Sequence, residues 1–146
     1  MNEQETGMTA KGALRLEIFI IGLGLLALVL IFQPFSIAVF AIGSGLVVLA
    51  GLMNNLLPLA QPGVPVRTVV KVGLVVAMIF CIVLLVAISA AHLYGLFFLK
   101  PPDPNTVTGK AALATPPFYR QAFVWTLIII TAGLAAMIAF MNRIRR

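Results

Sequence analysis

Three stretches of the chain, residues 18–66, 72–99 and 121–142, contain no Asp, Glu, Lys or Arg. A hydrocarbon core of about 30 Å is crossed by about 20 helical residues. The second and third stretches therefore supply one crossing each. The first is long enough for two, provided something interrupts it. Gln33-Pro34-Phe35 is that interruption, because proline lacks an amide hydrogen and biases the residue before it away from helix. The pattern predicts an all-α integral membrane four-helix bundle forming a single domain over residues 1–146. Its helices should cover about residues 14–32, 36–57, 68–99 and 122–142, with a loop over residues 100–121.

A β-barrel does not fit. Barrel strands alternate apolar and polar with a period of two. Residues 23–30, Leu-Gly-Leu-Leu-Ala-Leu-Val-Leu, are apolar on every side. Helix is the other way to satisfy backbone groups in lipid. The uncharged part of the third helix would span about 42 Å at 1.5 Å per residue, so it must tilt, kink or project beyond the bilayer. Its C-terminal end, near His92 and Tyr94, should reach the headgroups.

Composition agrees with the pattern. The chain is 62% apolar and 10% charged, whereas soluble domains run to about 25% charged. An ordinary soluble domain and a disordered chain are both excluded. The net charge of +6 would raise nucleic-acid binding in a soluble protein. Here the basic residues lie beside apolar runs, so they read as topogenic charge attracted to anionic headgroups, with no nucleic acid as partner.

Lys11, Arg15, Arg67, Lys71, Arg143, Arg145 and Arg146 fall on one side of the expected spans, and Lys100, Lys110 and Arg120 on the other. Lys and Arg favour the cytoplasmic side, which predicts an N-in/C-in orientation. We expect a bacterial cytoplasmic membrane. The start of the chain imitates a signal peptide, but without a small-residue cleavage site before Gln33-Pro34 it reads as an uncleaved first helix. The halves are too unlike each other for an inverted-repeat transporter.

The connections differ. The first is about three residues long. The second carries Pro58, Pro62, Gly63 and Pro65 and should be stiff. Residues 100–121 form the longest, with Pro101, Pro102, Pro104, Pro116 and Pro117. Loops of this length are usually functional or disordered. Asp103-Pro104-Asn105-Thr106 resembles a turn or the cap of a helix. The loop is either a partner-docking surface outside the cytoplasm or a stiff spacer on the membrane. Pro101, Pro102, Asp103, Tyr119 and Arg120 are the candidate contacts, and Tyr119 and Trp125 mark an aromatic belt.

Candidate chemistry is sparse. His92 is the sole histidine. It reads first as an interfacial side chain, and alternatively as a contact to quinone or haem. Glu17 is an intramembrane carboxylate about one turn into the first helix, which makes it a transport candidate. Its closeness to Lys11 and Arg15 favours an interfacial charge. Asn54 and Asn55 are the most polar pair in a span and suit helix capping or packing, with Asn54 a second transport candidate. Small-xxx-small spacings at Ala41/Gly45, Ala132/Ala136 and Ala135/Ala139, with Gly51 beyond the first pair, mark possible helix contacts. Cys81 reads as a small buried hydrophobe.

There is no phosphate-binding loop, no H-E-x-x-H and no Cys/His cluster, so no metal and no cofactor is expected. The acids are Glu3, Glu5, Glu17 and Asp103, which offers no pair for acid–base catalysis. The reading is a non-enzymatic accessory subunit or assembly factor, partnered by the bilayer and a larger membrane complex. The alternatives are a small homo-oligomeric transporter or pore, and a redox-complex anchor using His92.

Overall fold

A computed structural model describes residues 7–144. It is all-helical among the described residues, with five helices in the order α1 (Ala10–Phe32), α2 (Ile37–Asn54), α3 (Val66–Phe98), α4 (Val107–Ala114) and α5 (Ala122–Arg143). Single 3₁₀ turns occupy Leu57–Leu59 and Phe118–Arg120. Four of the helices, α1, α2, α3 and α5, are long and apolar enough to cross a membrane. Arg145 and Arg146, two of the orientation-setting cations, lie outside the described residues, as do Glu3 and Glu5.

The helices begin and end where local chemistry dictates. α1 starts four residues before the expected position because Thr9 caps it, its hydroxyl accepting from the Gly12 amide at 3.2 Å. α2 stops at Asn54, three residues short of the expected end, and the chain passes into the Leu57–Leu59 turn at Pro58. α3 is 33 residues long, about 50 Å at 1.5 Å per residue, well beyond the hydrocarbon thickness. Inside the expected loop the structure places a helix, α4, capped by Thr106, whose hydroxyl accepts from Gly109 at 3.0 Å.

The chain divides into two compact units, one ending at Ala77 and the other beginning at Met78. In the first, α1 and α2 form an antiparallel hairpin. The buried residues of α1 are Ala13, Ile20 and Ala27, seven apart, the spacing that keeps one seam of a helix facing a neighbour. Ala27 is fully covered. On α2 the buried residue is Gly43. A Cβ added there would lie 2.9 Å from Leu30 Cβ and 3.0 Å from the Ile31 amide nitrogen. The two backbones approach this closely because neither Ala27 nor Gly43 has a bulky side chain to hold them apart. The sequence-level pair Ala41/Gly45 faces elsewhere: both residues are exposed, and nothing lies within 4 Å of a Cβ added at Gly45. Close packing needed Gly43, two residues from each of them.

The turn between α1 and α2 leaves backbone amides without partners within a helix. Gln33 satisfies them almost alone. Its Oε1 accepts from the Phe35 amide at 2.8 Å and the Ser36 amide at 2.9 Å, and its Nε2 donates to the Ser36 carbonyl at 2.6 Å. Ser36 then caps α2, accepting from Val39.

A small core of Ile20, Leu56 and Val69, with Met8, Leu16, Met53 and Val72 packed on it, joins the starts of α1 and α3 to the end of α2. The segment before α1 is pinned beside the second connection: the Met8 amide donates to Val64, and the Gly63 amide donates to Met8, each at 2.9 Å. Gly63 has φ +88°, a backbone that side-chain-bearing residues rarely adopt. In the second unit Cys81, Val124 and Leu127 are buried.

Candidate functional site

The most chemically structured part of the second unit is the connection from α3 to α5. It opens with exposed Lys100, Pro101 and Pro102. Asp103 then organises the turn. Its Oδ1 accepts from the Asn105 amide at 2.8 Å, and its carbonyl accepts from the Thr106 hydroxyl at 3.0 Å and the Thr106 amide at 3.2 Å. The Asp and Asn read as turn formers in the sequence do form one, and Thr106 carries it into α4. Gly109 is required here: a Cβ at that position would overlap the Asp103 carbonyl. Asp103 thus commits its Oδ1 and its carbonyl to its own loop, while the residue remains exposed.

After α4, the Pro116 carbonyl accepts from Gln121 Nε2 at 3.2 Å. The turn that follows, Phe118–Arg120, is held from two directions. The Trp125 indole N–H, in the first turn of α5, donates to the Tyr119 carbonyl at 2.8 Å. Phe118 lies against His92 of α3, with ring centroids 4.4 Å apart and planes tilted by 45°. Phe118 also meets Tyr119 edge-on at 5.9 Å. Aromatic pairs in offset or edge-on geometry contribute about 0.5–1.5 kcal/mol beyond area burial.

The structure therefore brings His92, Tyr119 and Trp125 into one cluster, together with Phe118, which sequence reasoning missed. Phe118 follows Pro116-Pro117 in a stretch without helical periodicity, so no sequence signal marked it. His92 is half-buried and Phe118 half-buried, whereas Tyr119 and Arg120 are exposed. The Phe118 and Tyr119 carbonyls and the Arg120 amide of this turn are bonded internally, and Tyr119 and Arg120 are exposed.

The remaining candidates sit in the first unit. Glu17 is exposed on α1. Asn55 is committed to its own helix, its Nδ2 donating to the Gly51 carbonyl at 3.1 Å and the Leu52 carbonyl at 3.3 Å. That is the capping role read from the sequence. Asn54 instead stands in the wall of a groove of about 410 Å³ between α1 and α2, lined on α1 by residues from Ile20 to Leu28 and on α2 by Val47, Ala50 and Gly51. Glu17 is not among the residues lining the groove.

What this arrangement defines is an apolar helical protein, with four helices long and apolar enough to cross a membrane and a folded, aromatic-anchored connection between two of them. The chain matches no protein-family profile, no curated protein and no solved structure.

Proposed function

We propose that this chain is a non-catalytic multi-pass membrane protein acting as an accessory subunit or assembly factor of a larger membrane complex. The observation carrying this reading is the contrast within the connection from α3 to α5. Asp103, Thr106, Gln121 and Trp125 bond the connection's own backbone, while Tyr119 and Arg120 are exposed on the Phe118–Arg120 turn. A preordered surface loses less conformational freedom on binding than a flexible tether does. Tyr and Arg are also the residue types enriched where protein interfaces concentrate their energy. The long helices offer partners apolar faces: Leu25, Val29, Ile79, Val83, Ile129 and Phe140, among others, are exposed on them.

The distribution of Lys and Arg supports both termini on the cytoplasmic side and the α3–α5 connection on the opposite side. The partner would then be met from outside the cytoplasm by Tyr119, Arg120 and the Pro101-Pro102-Asp103 segment. The test is extraction from native membranes in mild detergent, followed by mass identification. We expect a stoichiometric larger membrane protein to accompany the chain, and to be lost when Tyr119→Ala and Arg120→Glu are combined. Recovery only as a free chain or a homo-oligomer would contradict the proposal.

A second reading, a small homo-oligomeric transporter or pore, draws on the groove bearing Asn54 and on Glu17 nearby along α1. It expects Glu17→Gln to abolish flux in liposomes. Normal flux in that variant removes Glu17 from any such path.

A further inference from the structure

Lys100, Lys110 and Arg120 all lie in the connection from α3 to α5, and all three are exposed. None of them has a side-chain hydrogen bond or ion pair among the described residues. The connection holds one acid, Asp103, whose Oδ1 accepts from the Asn105 amide. Three positive charges therefore stand against one negative charge.

Short-range structure sets where the three sit. Lys100 follows the end of α3 and precedes Pro101-Pro102, which restrict the chain there. Lys110 follows Gly109, the buried residue of α4 that packs on the Asp103 carbonyl. Arg120 ends the 3₁₀ turn, its amide donating to the Pro117 carbonyl at 2.9 Å. It follows Tyr119, whose carbonyl accepts from the Trp125 indole. Two large apolar side chains of the same connection, Val107 and Leu113, are exposed as well.

These cations run against the trend of the chain. Lys and Arg in short loops favour the cytoplasmic side. In the N-in/C-in orientation, Lys100, Lys110 and Arg120 are carried across the membrane and oppose the orientation that the remaining cations set. The lipid does not account for them: the negative surface potential that attracts basic segments belongs to the cytoplasmic leaflet. Nor does the connection itself, where Asp103 is the sole acid.

We propose that the partner meets this connection with an acidic protein surface. Asp or Glu side chains of the partner pair with Lys100, Lys110 and Arg120, and Tyr119 packs among them. The planar Arg120 guanidinium suits a two-point grip on one carboxylate, whereas the two lysines act as less directional charges. Complementary charge of this kind speeds encounter and excludes cationic competitors. The inference names the chemistry of the partner and rests on the accessory-subunit reading and its orientation.

The test uses a photoreactive phenylalanine analogue at Tyr119 in right-side-out vesicles of native membrane. Lys100→Glu, Lys110→Glu and Arg120→Glu are combined in one variant. Removing cations from the translocated side reinforces the orientation, so inversion of the chain does not compete as an explanation, and circular dichroism checks the fold. The yield of the protein adduct should fall by ~3-fold or more, and raising the salt concentration should lower it in the unreversed chain. The adducted peptide should carry Asp or Glu close to the attachment point. Replacing those acids by Lys should restore the yield with the charge-reversed chain. A protein adduct indifferent to charge reversal and to salt, or attached to a peptide without acids, would overturn this proposal and leave the accessory-subunit reading standing. Adducts with lipid alone, or none, would overturn both.

Discussion

The connection from α1 to α2 and the connection from α3 to α5 are built in opposite ways. The first uses four residues and two side chains: Gln33 closes the turn with three hydrogen bonds, and the Ser36 hydroxyl caps α2. Its tip is apolar and uncovered, with Phe35 91% and Ile37 88% exposed. Nothing polar is left over for recognition. The second uses a helix, a 3₁₀ turn and an aromatic cluster, and it leaves Lys100, Lys110, Tyr119 and Arg120 on the surface. The shortest connection serves the hairpin alone, because its polar side chains are used to bond its own backbone. The longer one can afford a displayed surface.

The comparison can be broken most severely at the seam below the first turn. Gly43→Leu must push α1 and α2 apart, and we expect a loss of about 1–3 kcal/mol or more, read as a lower unfolding midpoint in detergent micelles. Gly45→Leu, in open space, should change stability by less than about 0.5 kcal/mol. If the two variants behaved alike, the seam would not run through Gly43. Next is Gln33→Ala, which orphans the Phe35 and Ser36 amides together. An expected cost of about 1–3 kcal/mol would be accompanied by faster amide exchange at those two residues. The smallest effect belongs to the connection from α3 to α5. A double-mutant cycle on His92→Ala and Phe118→Ala should show a coupling of about 0.5–1.5 kcal/mol. Zero coupling would mean that the cluster does not hold the turn, and the contrast between the two connections would lose its basis.

The long helices were legible because the signal is coarse. A missing charge costs nothing to notice, and a hydrocarbon layer enforces length. Pro34 marked the first turn for the same local reason that makes it break a helix. Legibility failed where the deciding partner is distant or the element short. α4 has eight residues and little apolar periodicity, so only its Thr106 cap was visible. Ala41 and Gly45 matched the spacing of a packing motif, yet Gly43 makes the contact, because which face of α2 meets α1 is set by the whole seam and not by one pair of small residues. Of the candidate site, His92, Tyr119 and Trp125 were found separately. The side chain linking His92 to Tyr119, Phe118, carries no pattern of its own. Asn54 and Asn55 are adjacent and chemically identical, and one step round the helix separates a cap from a groove-lining amide.

The central claim is that Tyr119 is held ready for a protein partner. Site-specific photocrosslinking tests it without detergent: a photoreactive phenylalanine analogue replaces Tyr119, and native membranes are irradiated before extraction. The account predicts one dominant adduct with a larger membrane protein, reduced when Arg120→Glu is added. Adducts with lipid alone, or no adduct from a stably expressed variant, would contradict it.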